Sequence, residues 1–257
     1  MIVLFIADIV GQPGRDMVRS KLSALRDKEK TVFVIANAEN AAGGKGLTGI
    51  IANELFNYGV DVITLGNHAF DRREVEDAID NPKILRPANY PSNVPGRGFG
   101  VYETDGKVKI AVVNLMGRVY MPLTDCPFRK ANEILDALAG TTKNIIVDFH
   151  AEITSEKQAF GYYMDGRASA VLGTHTHIPT ADERVLPGGT AYISDTGMTG
   201  PADGVIGMDK EIILKKYLTG LPQHFAVSKG GSIMQGCVID INQNTGKAVS
   251  IKRFSIV

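Results

Sequence analysis

Cysteine is scarce in this chain, neither charge sign is in excess, and no apolar run is long. Only Cys126 and Cys237 carry thiols. They lie far apart, match no metal-ligand spacing and are too few for a disulfide framework. They read as reduced thiols that pack like small apolar residues. Lys and Arg total 28 against 28 Asp and Glu, a formal net charge of zero. Stable nucleic-acid binding normally needs a basic excess, so that class is disfavoured, while a small anion held by local groups is still allowed.

The apolar start, MIVLFIADIVG, lacks a basic leader and a cleavage site, and it is too short to span a bilayer. It reads as a buried first strand of a cytoplasmic protein with no membrane partner. No repeat, low-complexity tract or linker interrupts the 257 residues, so a single domain over 1–257 is the economical organisation. Both phosphate-binding loops are also missing. In Gly43-Gly44-Lys45-Gly46 the lysine is followed by glycine rather than Ser or Thr. Gly96-Arg97-Gly98-Phe99-Gly100 lacks the dinucleotide spacing and opens no helix.

What is present is an α/β alternation of short Val/Ile-rich runs and longer amphipathic stretches. Strands are expected at Ile2–Ala7, Thr31–Ala36, Val60–Leu65, Phe99–Thr104, Lys107–Leu115, Asn144–Phe149 and Ala168–Leu172. Helices are expected at Pro13–Asp27, Thr48–Tyr58, Asp71–Ile79, Phe128–Leu138 and Thr154–Tyr163. An Asp105–Gly106 hairpin joins two of the strands, and the Pro-, Gly- and Asn-rich stretch Asn81–Gly100 is an ordered loop. The remainder reads as antiparallel: Thr190–Ser194, His224–Ser228, Ser232–Asp240 and Ala248–Phe254, with turns at Lys229–Gly231 and Asn244–Gly246. Lys210–Lys216 reads as a solvated helix face.

Polar residues gather just past the C-terminal ends of the expected strands, where open α/β sheets place ligands. Asp8 follows the first strand, Glu39 and Asn40 the second, and Asn67 and His68 the third. His150 ends the Asn144 strand, and His175 and His177 follow Leu172. Four of the five histidines therefore sit at strand ends. Residues two apart in extended backbone share a side, so His175 and His177 can face one centre while Thr176 faces away. Asn67 and His68 diverge, so one can bind metal while the other does separate work. Imidazole with carboxylate suits two small divalent transition metals, iron, manganese or zinc, over calcium. Glu39 can bridge such a pair through its two oxygens. Two dications against Asp8, Glu39 and a hydroxide leave roughly one net positive charge, which suits a phosphodiester anion.

The order Asp8, Glu39-Asn40, Gly66-Asn67-His68, His150 and Gly173-Thr-His175-Thr-His177 resembles the calcineurin-like metallophosphoesterases. Within them the chain resembles the bacterial YmdB-like family. The resemblance runs almost end to end, through Asp8–Arg15, Asn37–Asn40, Arg86–Asn89, Asp148–Glu152, Thr154–Lys157 and Asp195–Pro201. It implies a two-sheet sandwich flanked by helices, a four-layer α-β-β-α fold. It implies a phosphodiesterase for 2′,3′-cyclic nucleotides or cyclic AMP, using two metals, iron first. One metal would take Asp8, Glu39, His177 and Asn40; the other Glu39, Asn67, His150 and His175. His68 matches the group that protonates the leaving oxygen while a metal-bound hydroxide attacks. Two departures stand out: Val10 replaces the histidine of the superfamily's Asp-x-His, a place Asn40 can fill, and Glu39 replaces a bridging Asp.

Rival functions are a general phosphomonoesterase or nuclease at the same site, or a regulatory scaffold with structural metals. A homo-oligomer is compatible with the chain, but no residue pattern specifies its interface. Arg86 and Asn89 could touch substrate or serve their own loop. Glu152 and Asp195 are candidate supports of the metal ligands, whereas strand alternation is expected to point Asp148 away from His150. His224 reads as an ordinary sheet residue.

Overall fold

The structure, a computed structural model, describes residues 1–104 and 106–257. Its elements are β1 (Ile2–Ile6), β2 (Asp8–Ile9), α1 (Gly11–Glu29), β3 (Phe33–Asn37), α2 (Gly49–Asn57), β4 (Val62–Thr64) and β5 (Ile84–Leu85). They continue with β6 (Phe99–Glu103), β7 (Lys109–Met116), α3 (Pro127–Leu138), β8 (Ile145–His150), α4 (Thr154–Tyr163) and β9 (Ala170–Thr174). The last are β10 (Arg184–Val185), β11 (Ala191–Ile193), β12 (Met198–Pro201), α5 (Lys210–Thr219), β13 (Ser232–Ile241) and β14 (Ala248–Ile256).

Two sheets form. One has eight strands in the order β2-β12-β13-β1-β3-β4-β5, with β14 also paired to β13; the other has six, β10-β11-β9-β8-β7-β6. Within them β1, β3, β4 and β5 run parallel, as do β7, β8, β9 and β11. Strand alternation explains the layering. On β1, Leu4 and Ile6 pack outward under α1 and α2, with Val18, Leu22 and Leu55. Val3 and Phe5 face the second sheet instead, against Ile146, Leu172 and Ile193. On β8, Ile145, Val147 and Phe149 face outward to α3 and α4. Three apolar interfaces thus separate four layers, helix, sheet, sheet and helix. Strands buried on both faces read as continuous apolar runs, as these do.

Several expectations need correction. Thr190–Ser194 is only partly antiparallel: β11 within it pairs antiparallel with β10 but parallel with β9. His224–Ser228 is not a strand. It is a largely exposed return segment bridged to the stem of α5 between Met208 and Val227, so His224 is no sheet residue. Asp71–Ile79 shortens to one 3-10 turn, Arg73–Val75. Val75 and Ile79 are its only buried residues, with Ala78 packing partly beside them, and most of its bonds span three residues, as from Glu76 to Arg73 and Ala78 to Val75. Asp105 of the expected Asp105–Gly106 hairpin lies outside the described residues, and β6 and β7 pair antiparallel on either side of it. No helix among the described residues is long and apolar enough to cross a membrane.

The outer layer over β8 is held by aromatic packing. Phe160 of α4 is fully buried, stacks on Phe149 at 4.1 Å and meets Phe128 edge-on at 5.3 Å. Truncating such a residue leaves a cavity the neighbours fill only in part. Phe160→Ala is expected to lower unfolding free energy by about 3–5 kcal/mol, read as a lower urea midpoint at unchanged m-value. An unshifted midpoint would contradict this packing.

Candidate metal centre

The inter-sheet layer changes character along its strands. At its N-terminal end it is apolar, but the inward positions at the C-terminal end are Asn37 on β3, Thr64 on β4, Asn114 on β7, Asp148 on β8 and Thr174 on β9, all buried. Asp148 organises them. Its Oδ2 accepts from Thr64 Oγ1 at 2.5 Å and Asn37 Nδ2 at 3.1 Å, and its Oδ1 accepts from Thr174 Oγ1 at 2.7 Å. Buried polar groups must find partners, and here neighbouring strands supply them to one another.

All eight candidate residues sit directly beyond this polar layer. Asp8, Glu39, Asn40, His150 and His177 are buried; Asn67, His68 and His175 are half-buried and form the mouth. Glu39 is central: its Oε1 lies 2.9 Å from His150 Nε2, and its Oε2 accepts from the His68 backbone N–H at 2.9 Å. Asn67 Oδ1 is also 2.9 Å from His150 Nε2. Ligand atoms of Glu39, His150 and His175 all fall within 4.8 Å of one another. On the other flank His177 Nε2 is 3.2 Å from Asn40 Nδ2 and 3.8 Å from Asp8 Oδ1, and Asn40 Nδ2 reaches Glu39 Oε1 at 3.5 Å. Gly66 is required here. A Cβ at that position would meet His150 Nε2 at 2.3 Å and Glu39 Oε2 at 2.5 Å.

The histidines are oriented from behind. Because the single Thr174 hydroxyl proton goes to Asp148, Thr174 Oγ1 must accept from His150 Nδ1–H, at 2.9 Å. His150 therefore presents Nε2 to Glu39 and Asn67. His177 Nδ1 donates to the Ile206 carbonyl at 3.0 Å and likewise presents Nε2. His175 Nε2 is held by Glu152 Oε2 at 2.9 Å. Such outer partners fix tautomer and ring orientation in metal sites.

Electrostatics favour a cation. Burial raises the Asp8 carboxyl well above its ordinary range; His150 opposes this, while Glu39, Asp195 and Asp148 add to it. Asp8 Oδ1 is buried without a hydrogen-bond donor. Burial also works against the Glu39 carboxylate, but the charge and hydrogen bond of His150 prevail and hold it down at about 2. Burial disfavours the His150 imidazolium as well, yet Glu39 beside it pushes the group up to about 9. His175 falls to about 3, through burial first and repulsion from His150 second. An unpartnered buried carboxylate oxygen beside imidazoles aimed at it is a donor set fitted to divalent metal.

Some expectations change in their reasons. His175 and His177 converge, but not through extended backbone: their φ angles are 101° and 65°. The left-handed turn aims both rings, a strain of the order of 1–3 kcal/mol per residue that is found at functional sites. Thr176 does face away, onto Asp195 at 2.7 Å. Asp148 does not point away from His150. Positions two apart share a strand face, and the two are linked through Thr174. Arg86 and Asn89 serve their loop: Arg86 donates to the carbonyls of Pro87, Val94 and Pro95, and Asn89 to those of Met116 and Asp125.

Three residues at the site carried no role in the sequence reading. Asp71 Oδ2 binds His68 Nδ1 at 2.9 Å, and its spacing three after His68 was the available signal. Thr174 was detectable as the inward position after Leu172. Lys157, fully buried, pairs with Asp195 at 2.8 Å, a partnership no sequence spacing announces. A cavity of about 570 Å³ lies at the opposite end of the six-stranded sheet beside Lys143 and Lys247 and contains none of the candidates.

The sequence pattern that defines the YmdB-like protein family matches residues 4–254. The chain belongs to this family. A 2′,3′-cyclic-nucleotide 2′-phosphodiesterase of Bacillus subtilis (strain 168) is 53% identical over 257 residues, spanning 100% of this chain and 97% of that protein. The crystal structure of a hypothetical protein from Thermus thermophilus matches with a TM-score of 0.94 at 42% identity, covering 100% of this chain and 99% of the other. That of a novel phosphatase from Mycoplasma pneumoniae matches with a TM-score of 0.94 at 37% identity, covering 100% and 93%. These two solved structures share the whole fold described above.

Thr174→Val keeps the shape of the side chain but leaves His150 Nδ1–H and Asp148 Oδ1 without their shared partner. It is expected to weaken divalent-metal affinity by about 10–100-fold, measured by calorimetric titration of stripped protein, with Thr174→Ser restoring it. Equal affinities in all three proteins would contradict the orienting role.

Proposed function

We propose that this YmdB-like chain is a metal-dependent phosphoric ester hydrolase acting on small cyclic nucleotides. The 2′,3′-cyclic phosphodiesters rank first and 3′,5′-cyclic AMP second. The reading is carried by one observation: Glu39, His150 and His175 converge on one point at the sheet ends, with His68 on the adjoining loop. The name of the Bacillus subtilis relative supports the substrate class.

Asp8, Glu39, His177 and Asn40 would hold one divalent ion, and Glu39, Asn67, His150 and His175 a second. Iron is the first expectation, with manganese and zinc as alternatives. Bound there, the ions supply Lewis acidity to the phosphoryl oxygens and acidify a water to act as nucleophile.

The chain's own groups do the rest. Glu39 uses one oxygen toward His150 and the other toward the His68 N–H, which ties the ligand set to the acid's loop. His68 Nδ1 donates to Asp71 Oδ2, leaving Nε2 as the atom that delivers a proton to the leaving alkoxide. The bond to Asp71 fixes the orientation of the His68 ring. A small cyclic diester fits the half-buried mouth and the neutral overall charge better than an oligonucleotide does. The two free thiols fit a cytoplasmic setting.

The test is turnover of 2′,3′-cyclic AMP by stripped protein re-supplied with Fe²⁺, Mn²⁺, Zn²⁺ or nothing. Metal-dependent turnover is expected, and Glu39→Gln should lose metal and activity together. His68→Ala should lower kcat by about 10²–10⁴-fold, the usual worth of a general acid, with metal content kept. Full activity in the Glu39 variant would sink the assignment. Faster cleavage of an aryl phosphate than of the cyclic diester would shift it to a monoesterase.

A further inference from the structure

Lys157 and Asp195 form an ion pair of 2.8 Å in which both side chains are all but closed to solvent, 2% and 1% exposed. The placement of the lysine runs against elementary preference three times over. An ammonium group loses its hydration on burial. Its long stem gives up rotamer freedom. Lys157 also stands in the first turn of α4, whose N-terminal end already carries positive partial charge. Packed apolar residues of similar volume commonly serve a core as well as such a pair or better, so stability alone does not account for it. The other partners of the Asp195 carboxylate supply the reason.

Asp195 follows β11 and reaches across to the segment after β9. Its Oδ2, besides Lys157 Nζ, accepts from the Thr176 N–H at 3.1 Å and the Thr176 hydroxyl at 2.7 Å. Its Oδ1 accepts from the Gly197 N–H at 2.9 Å. Neighbouring grips involve the backbone: Thr196 N–H to Gly173 O at 2.9 Å, Thr180 N–H to Asp195 O at 3.1 Å and Asp195 N–H to Thr180 Oγ1 at 2.9 Å. The chain from Gly173 to Thr180 is thus held at both ends and, through Thr176, in its middle. Thr176 separates His175 and His177, whose φ angles of 101° and 65° persist only where the surroundings impose them. Glu152 and Ile206 fix the rings of these histidines, whereas Asp195 fixes the backbone that carries them. His150 needs no such clamp, because it ends a regular strand.

We propose that the Lys157–Asp195 pair positions the His175-Thr176-His177 turn. Lys157 supplies the counter-charge that lets a carboxylate sit buried behind the metal centre. That carboxylate holds Thr176, so that the imidazoles on either side of it reach two different ions. On the two-ion reading, on which this role rests, His175 serves one ion and His177 the other. A turn that relaxes therefore weakens both together, as the loss of outer partners does in metal sites. Neither Lys157 nor Asp195 is among the candidate ligands, so both are positioning residues.

The experiment is calorimetric titration of stripped protein with Mn²⁺, with thermal unfolding of the same metal-free samples measured beside it. Thr176→Val, at a half-buried position, removes the hydroxyl bond to Asp195. It should weaken both Mn²⁺ ions about tenfold or more, and Thr176→Ser should restore them. Lys157→Met should weaken both by about 10–100-fold; should it fail to fold, the two Thr176 variants decide alone. Folded variants that bind both ions like wild type, even with a lower melting temperature, would overturn the role and leave the two-ion reading standing. Weakening of one ion only in Thr176→Val would overturn it as well. A wild type that binds fewer than two ions would instead remove the two-ion reading, and this role with it.

Discussion

Burying carboxylates where two sheets meet is the constraint on which the rest of this molecule depends. Asp8, Glu39, Asp148 and Asp195 all lie at the polar end of the inter-sheet layer, out of reach of water. Leaving an ion in such a place is costly, so each must be neutralised or paired. Lys157 answers Asp195, and three donors answer Asp148. Glu39 is answered in part by His150. Asp8 has no comparable partner at Oδ1, and that imbalance attracts a cation.

The fold brings these groups together through ordinary strand geometry. Parallel strands in both sheets end at the same edge, and inward positions two apart carry apolar residues first and polar ones last. Ile146, Asp148 and His150 on β8 show the sequence in one strand. The polar layer also makes the centre rigid, because each histidine is braced by a group on a different element: Thr174 for His150, Ile206 for His177 and Glu152 for His175.

Most of the sheet architecture was legible because strands buried on both faces write themselves as continuous Val/Ile runs, and the candidate residues stood directly after them. What was not legible follows from contacts distant in sequence. The parallel pairing of β11 depends on β9 rather than on its own hairpin neighbours. The turn that aims His175 and His177 uses positive φ at non-glycine residues, which no propensity predicts. Asp148 and His150 stand two apart on β8, so strand alternation puts them on one face, the opposite of the expectation that Asp148 points away. The segment after Asp71 looked helical by periodicity, but two apolar anchors do not sustain a helix. Lys210–Lys216 does lie on a solvated helix, with Ile213 as its one buried residue.

The central claim is that the buried carboxylates and imidazoles form a binding place for two divalent cations. Native mass spectrometry with elemental analysis of the reconstituted protein tests it most directly. The account predicts two ions per chain in wild type and a loss of both or of one in Asp8→Ala. A wild-type protein that binds no ion, or an Asp8→Ala variant that keeps both, would contradict it.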